Sequence, residues 1–327
     1  MKILSWNCRG LGNLRAVRAL KRLIHSKDHD VVLVMETRLY SAEASRHRGI
    51  GGLQNVFPVQ CAGQGRSRAG GLCLFWGNEV EVEVISASLN HILFNVVNSD
   101  DRSEMRCLGV YGFPDERKKA TWDMIRRYTP SSSIPFMCFG DFNDTLSPAD
   151  KLGGDPPDVE RLQEVSQACV DCALHEVDFS GYRFTWSNKR KRPGTIEERL
   201  DYALVNEAWR SIWPVTSVYH LPRYRSDHNP ILIFSGSRKM RKEMARANLF
   251  RFEQLWLQEG EECAEVVTET WGRLQADLPS KISQVGDALQ GWGKEKFGDL
   301  PRKISDQRGL LERLQRRDQI GGGGGDN

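Results

Sequence analysis

Phe139-Gly140-Asp141-Phe142-Asn143 closes a short apolar run over 135–139. A run of that length and composition reads as a buried strand, and Gly140 lets the backbone bend where the run stops. Asp141 and Asn143 follow, two residues apart. At strand spacing they would point to the same side, which aims a carboxylate and a carboxamide together into a cleft. The carboxylate can take a proton or orient a water, and the carboxamide can donate to a phosphate oxygen. An Asx-rich turn that merely ends a strand has the same composition. The meaning of the stretch therefore depends on what the rest of the chain brings beside it.

Similar runs recur on both sides of it, at 2–6, 31–35, 71–76, 80–85, 91–97, 105–111, 200–205 and 231–234. Many are β-branched or alternating, and Gly, Asn or Asp clusters separate them. Helical spacing appears over 14–25, where Val17, Leu20 and Ile24 share a face and Asn13 is a natural N-cap. It appears again over 116–128 and 159–173. Many strands with few helices between them predict an α/β (α+β) fold of two packed sheets flanked by helices. The character changes after Gly236. Residues 237–317 are charged and helix-compatible, with apolar patches at Phe250, Leu255, Trp256 and Leu257 and at Ile282, Val285, Leu289 and Trp292. A boundary near 236–245 is expected. It divides the chain into a domain over 1–236, a helical extension over 237–320 and a flexible Gly-rich tail over 321–327.

The 327 residues are 39% hydrophobic, enough for a sizeable core. Lys and Arg total 46 against 43 Asp and Glu, a net charge of +3, so any nucleic-acid contact must come from local basic patches. The 8 cysteines lack metal-site spacing, and Cys169 and Cys172 read as thiols on or near a helix. The apolar settings of Cys8, Cys73, Cys107 and Cys138 predict buried, reduced thiols. No stretch approaches the roughly 18 apolar residues of a membrane span, and Met1-Lys2 runs straight into a strand-like segment. A nuclear or cytoplasmic protein that is neither secreted nor membrane-spanning is expected.

Further segments offer chemistry. Ser226-Asp227-His228-Asn229-Pro230 precedes the last strand: Asp227 can ligate a hard cation, and His228 can donate to a phosphoryl oxygen. Asp201 interrupts the buried-looking run of Arg199-Leu200-Asp201-Tyr202. There it either pairs with Arg199 or holds an imidazole in one tautomer. Glu36 follows the run over 31–35. Carboxylates gathered at strand ends repel one another by several kcal/mol at low effective dielectric. A divalent cation relieves that repulsion, and all-oxygen ligands favour Mg²⁺, with Mn²⁺ as the alternative, over Zn²⁺.

Taken together, Ser5-Trp-Asn7-Cys-Arg-Gly10, Met35-Glu-Thr37, Val110-Tyr111, Gly140-Asp-Phe-Asn143, Phe184-Thr-Trp186, Arg199-Leu-Asp-Tyr202 and Ser226-Asp-His228 resemble the endonuclease/exonuclease/phosphatase superfamily. Within it the chain is most similar to the apurinic-type endonuclease domain of plant LINE-type (non-LTR) retrotransposons. Trp6-Asn-Cys-Arg-Gly-Leu-Gly12, and later Phe250-Arg-Phe-Glu253 with Trp256, carry the likeness to that branch. The resemblance covers about 1–235. It implies a four-layer α/β sandwich of two packed mixed β-sheets and a Mg²⁺-dependent nicking of double-stranded DNA that leaves a 3′-hydroxyl and a 5′-phosphate.

By the same resemblance Glu36 would bind the metal with Asn7 and Asp227 nearby, and Asp141, bonded by Asn7, would orient or deprotonate the attacking water. Asn143, Tyr111 and His228 would hold the scissile phosphate, Asp201 would orient His228, and Thr185 would support the cleft. Repair-type relatives usually carry Asp or Asn where this chain has Arg9, which points away from repair and puts a second acidic metal contact in doubt. Met35 stands where Gln is frequent. The loop with Lys189, Arg190, Lys191 and Arg192 is expected to reach DNA beside the site, and Arg66 and Arg68 form a second candidate contact. A solvated loop is the competing reading of each. A monomer is expected, with the helices after 237 free to bind a partner. No Tyr-x-Asp-Asp run follows, so no reverse transcription is expected of these residues. Two alternatives stay open: a phosphoesterase of the same fold acting on RNA, inositol phosphates or phospholipids, and a catalytically silent nucleic-acid-binding remnant.

Overall fold

The structure is a computed structural model that describes residues 1–25, 29–98, 102–131, 133–190, 194–223, 226–236, 254–273 and 278–298. The chain runs β1 (Lys2–Asn7), α1 (Leu14–His25), β2 (Val31–Met35), α2 (Ser41–Ser45), β3 (Asn55–Val59), β4 (Leu72–Trp76), β5 (Val80–Ser88), β6 (His91–Asn98) and β7 (Glu104–Tyr111). It continues α3 (Lys118–Tyr128), β8 (Phe136–Asp141), β9 (Lys151–Leu152), α4 (Val159–Asp171), β10 (His175–Glu176), β11 (Phe179–Ser180), β12 (Trp186–Ser187) and β13 (Glu197–Glu198). Then come β14 (Asp201–Val205), α5 (Glu207–Ile212), β15 (Ser217–His220), β16 (Ile231–Phe234), and, past an interval outside the described residues, α6 (Gly260–Arg273) and α7 (Leu278–Phe297).

The strands form a seven-stranded sheet in the order β11-β15-β16-β1-β2-β4-β3 and a six-stranded sheet in the order β10-β14-β8-β7-β6-β5, with β12-β13-β9 as a small third sheet. Both large sheets are mixed: β1–β2 and β7–β8 pair in parallel among antiparallel neighbours. The apolar runs are continuous because both faces are covered. In β2, Val31, Leu33 and Met35 face the second sheet, packing with Ile92, Phe94, Met137, Phe139 and Ala203. Val32 and Val34 face the other way, against Leu20, Leu23 and Ile24 of α1. On the far side of the six-stranded sheet, Leu108, Cys138 and Leu204 pack on Trp122 and Ile125 of α3 and on Val165 and Ala168 of α4. This is the four-layer sandwich. Asn13 caps α1 as expected, its Oδ1 accepting from Ala16 N at 2.8 Å.

Several elements differ from the sequence expectation. β3 contains Pro58, which removes a ladder donor. It is tolerated because β3 lies at the edge of its sheet. β15 has four residues and β9 to β13 have two each, too short for a hydrophobic period to show. All eight cysteines are free, and Cys169 and Cys172 lie at the end of α4. Among the described residues no helix is long and apolar enough to cross a membrane.

The chain divides into two compact units, Met1–Glu243 and Met244–Asn327. Taken by itself, the second is a helical unit in which Trp256, Cys263 and Leu289 are buried, with Val266, Val285, Trp292 and Phe297 packed around them. The expected boundary, Phe250 and the Gly-rich tail lie outside the described residues.

Strand direction brings the polar residues to one end of the sandwich. Asn7 ends β1 and Met35 ends β2, in register with each other. β16 runs antiparallel to β1, so the segment preceding Ile231 lies at that same end. In the other sheet Asp141 lies opposite both Tyr111 and Asp201. Gly140 fixes this exit. Its φ is +136°, and a Cβ there would lie 2.1 Å from the Val110 carbonyl oxygen. Gly140→Ala is therefore expected to destabilise the domain by about 2–5 kcal/mol through combined strain and overpacking. Urea unfolding measures this, and a loss under ~1 kcal/mol would contradict the backbone argument.

Candidate active site

Asp141 and Asp201 are buried neighbours on adjacent strands, and His228 reaches both. Its Nδ1 faces Asp201 Oδ2 at 3.0 Å and its Nε2 faces Asp141 Oδ2 at 3.6 Å. Burial alone would pull the imidazole down, but Asp141 and Asp201 outweigh it and raise it to about 9. Burial pushes the Asp141 carboxyl up, opposed by His228 and assisted by Asp201, to about 7. Asp201 is thus the partner of His228 and not of Arg199, which pairs with Asp150 and Glu176.

Asn7 connects this group to Glu36. Its Nδ2 donates to Asp141 Oδ2 at 2.9 Å and to Glu36 Oε1 at 3.0 Å, while its Oδ1 accepts from Arg9 N at 3.2 Å. Glu36 Oε2 also faces Arg9 Nε at 3.6 Å and Arg38 Nη2 at 3.4 Å. Asp227 Oδ2 accepts from Trp186 Nε1 at 3.0 Å and from Arg9 Nη1. Burial opposes ionisation of Asp227, yet His228, Arg9 and Trp186 hold its carboxyl below the ordinary value. Ser226 fastens the segment: its Oγ donates to Asn7 O at 2.7 Å and accepts from His228 N at 3.1 Å.

Asn143 is near Asp141 for a different reason from the one its spacing suggested. β8 ends at Asp141, and Asn143 lies beyond it with φ +51°, so strand alternation does not place it. A turn does: Asn143 N donates to Asp141 Oδ1 at 3.0 Å and Asn143 Nδ2 donates to Gly112 O at 2.8 Å. Asn tolerates this left-handed conformation better than most residues. Arg9, Glu36 and Arg38 share it, and such clustering of strained backbone is common at functional sites. Tyr111 is partly buried. Burial first, then the charges of Glu36 and Asp141, push its phenol far above the usual value, so the hydroxyl stays a donor.

Asp141, Asp201 and His228 offer ligand atoms within 4.8 Å of one another and could hold a metal. An imidazolium between the two carboxylates offsets one of their charges, however, and repels a cation. Glu36 and Asp227 offer carboxylate oxygens, the donor type that suits a hard divalent ion, and Asn7 adjoins Glu36 through its Nδ2. The nearby Cys8 thiol is pushed up to about 12 by burial, so it offers no competing thiolate.

Among the basic residues, Lys189 and Arg190 are exposed on the β12–β13 loop. That loop is rooted beside Asp227, where Ser187 N donates to Asp227 O at 3.2 Å. Lys191 and Arg192 lie outside the described residues. Arg66 is exposed, whereas Arg68 is tied to Glu43 at 2.8 Å and lies over the Tyr40 ring. Sequence reasoning assigned no role to Trp186, Ser226 or Arg38. The first two sit inside motifs already singled out, and Arg38 follows Glu36 by two residues without any distinguishing pattern.

The sequence pattern of the Endonuclease/Exonuclease/phosphatase family matches residues 4–228, which spans every residue of this site. The chain belongs to that family. Its fold is similar to the "Endonuclease domain of TRAS1, a telomere-specific non-LTR retrotransposon", with 15% identity, TM-score 0.54 and coverage of 72% of this chain and 99% of the other. It is similar also to the AP endonuclease LMAP from Leishmania major, with 18% identity, TM-score 0.56 and coverage of 72% and 87%. A third is a variant of the 3′ phosphatase NExo from Neisseria, bound to a product DNA hairpin, with 17% identity, TM-score 0.51 and coverage of 72% and 100%. No curated protein matches the chain.

In this member of the Endonuclease/Exonuclease/phosphatase family, Thr185 anchors the Asp201 strand. Its buried Oγ1 accepts from Leu200 N at 3.0 Å and from Asp201 N at 3.1 Å. Thr185→Val keeps the shape and removes the acceptor, so it is expected to cost about 2 kcal/mol in chemical denaturation. Thr185→Ser should retain most of that stability. Equal stability of the Val and Ser variants would contradict this role.

Proposed function

We propose that the chain is a Mg²⁺-dependent DNA endonuclease that nicks a phosphodiester to leave a 3′-hydroxyl and a 5′-phosphate, as a plant LINE-type retrotransposon endonuclease would. The observation that carries this reading is the unbroken polar chain from Asp201 through His228, Asp141 and Asn7 to Glu36. It joins a proton acceptor to a cation site within a family of phosphoesterases. The likeness to folds from a retrotransposon and from DNA-processing enzymes supports DNA as the substrate.

Each residue has a task that its surroundings suit. Asp141, its carboxyl raised above the ordinary value by burial, takes the proton of the attacking water, and Asn7 Nδ2 and Asn143 N hold its oxygens in place. The water oxygen bonds to phosphorus, the P–O3′ bond breaks with its electron pair going to the 3′ oxygen, and that oxygen takes a proton from solvent water to become the 3′-hydroxyl. His228 donates through Nε2 to a phosphoryl oxygen, while Asp201 fixes its ring and sustains its charge. Tyr111 and Asn143 add donors to the phosphate. Glu36, Asp227 and Asn7 would hold the Mg²⁺, which would supply charge neutralisation for the phosphoryl group when bound. Lys189 and Arg190, in the basic run that continues in sequence through Lys191 and Arg192, would supply charge to the DNA backbone, with Arg66 as a second contact and Arg68 bracing the Arg66 segment through Glu43. The exchange of Gln for Met35 does not reach the chemistry, because Met35 is buried in the inter-sheet core.

Supercoiled plasmid with Mg²⁺ should relax to open circles, and Asp141→Ala or His228→Ala should slow this by about 10²- to 10⁴-fold at a temperature where circular dichroism shows each variant folded, His228→Ala with the lower stability because it leaves two buried carboxylates without their counter-charge. A plasmid left intact by the wild type with either Mg²⁺ or Mn²⁺, or faster turnover of small phosphoesters than of DNA, would overturn the reading.

Loop contact predicts a separate effect. Replacing Lys189 or Arg190 with Ala should reduce the slope of log affinity against log salt for duplex DNA by about 1 per lost phosphate contact. An unchanged slope would remove this loop from the interface.

A further inference from the structure

All the groups assigned to the divalent cation face one residue of this same chain. Arg9 Nη1 donates to Asp227 Oδ2, and Arg9 Nε faces Glu36 Oε2 at 3.6 Å. The third donor, Asn7 Oδ1, accepts from the Arg9 backbone N–H at 3.2 Å. The guanidinium therefore lies between carboxylates that are far apart in sequence, and the backbone below it uses the amide oxygen beside them. Arg9 has φ +49° and Gly10, next to it, has φ +119°; that turn carries the side chain back over the site. The Arg9 side chain is 44% exposed, while those of Glu36 and Asp227 are 13% and 12% exposed. It covers the carboxylates and keeps a route to solvent.

We infer that Arg9 is a built-in counter-cation of the metal-free site, that a divalent cation competes with its guanidinium for Glu36 and Asp227, and that the displaced guanidinium becomes a ligand for the substrate phosphate. The inference rests on the metal-dependent reading above and deepens it. A guanidinium and a divalent ion cannot both sit between the same carboxylates, because their own repulsion is strong in a partly desolvated site. Without a bound ion the arrangement still gives Asp227 a cationic partner and gives Glu36 a second one beside Arg38. The cation binds more weakly as a result. Arg38 does not take over the role: it reaches Glu36 Oε2 at 3.4 Å from the outer side and has no contact with Asp227 among those described. A phosphodiester that attracts the released guanidinium favours the same state as the metal, so by linkage cation and DNA each strengthen binding of the other.

The test is a Mn²⁺ titration of the whole protein, read as free Mn²⁺ by electron paramagnetic resonance, together with melting in chelator. Arg9→Ala is expected to tighten Mn²⁺ binding by roughly tenfold, within the usual range of coupling effects, and to lower the metal-free melting temperature. Arg9→Lys, which restores a cation on a flexible stem, should return binding toward the wild-type value. A Kd that is unchanged or weaker in Arg9→Ala overturns the inference while leaving the nuclease reading intact. Glu36→Gln separates the two failures. If it leaves Mn²⁺ binding unaltered in both the wild-type and Arg9→Ala backgrounds, the cation is not held at Glu36, and the metal assignment falls along with the inference.

Discussion

The placement of two carboxylates on paired strands, with one imidazole between them, is the constraint on which the site depends. β8 and β14 put Asp141 directly opposite Asp201. Both are buried, and ionising both without compensation would cost several kcal/mol at low effective dielectric. His228 makes the pair tolerable by facing both. The backbone of His228 is held in turn by Ser226, whose hydroxyl donates to the end of β1, so the seven-stranded sheet positions the imidazole that faces the carboxylate pair of the six-stranded sheet. The electrostatics of the site and the packing of the sheets are one problem. Anything that shifts the sheets against each other separates His228 from Asp141 and leaves a buried charge unpaired.

That coupling explains why the inter-sheet core is so uniformly apolar. Leu33, Met35, Phe94, Met137 and Phe139 fill it, and Gly109 admits Leu33 where a Cβ would come within 2.7 Å of it. Close packing of this kind transmits displacement instead of absorbing it. Bulk at Gly109 would act on the distance between β2 and β7, and hence on how Glu36 meets Tyr111. The polar groups stand at the rim because the interior cannot satisfy them, and the rim is also where strand ends free the backbone to adopt the left-handed turns at Glu36 and Asn143.

The sequence made the sandwich legible because strands buried on both faces leave unbroken apolar runs, as in β2 and β8, and because helix periodicity marked α1 with its Asn13 cap. It did not reveal β3, whose Pro58 contradicts a central strand but suits an edge, nor β15 and the two-residue strands, which are stabilised by tertiary context and not by pattern. Asp141, Asp201 and His228 could be named from their positions, yet their mutual geometry could not, since it depends on strand pairing between segments far apart in the chain. Asn143 answers to a spacing rule that the backbone does not follow. Arg9 stood out as a departure from relatives, but nothing in a linear reading said that its charge would fall between Glu36 and Asp227. Ion pairs between residues 218 positions apart leave no local trace.

The site is divided along its depth. On the inner side, Asp201, His228 and Asp141 are buried together, and the Asp141 carboxylate accepts from the Asn143 backbone N–H. On the outer side, Glu36 and Asp227 are flanked by Arg9 and Arg38, half-exposed cations in a chain whose net charge is only +3. Asn7 is the joint between the halves: a single carboxamide donates to Asp141 on one side and Glu36 on the other. A charged residue there would bias one half against the other, since a carboxylate would add to the repulsion and a cation would neutralise the base. A neutral amide with two donors and an acceptor satisfies both carboxylates without changing the charge of either, and for that physical reason the position demands Asn more strictly than its neighbours demand their own identities.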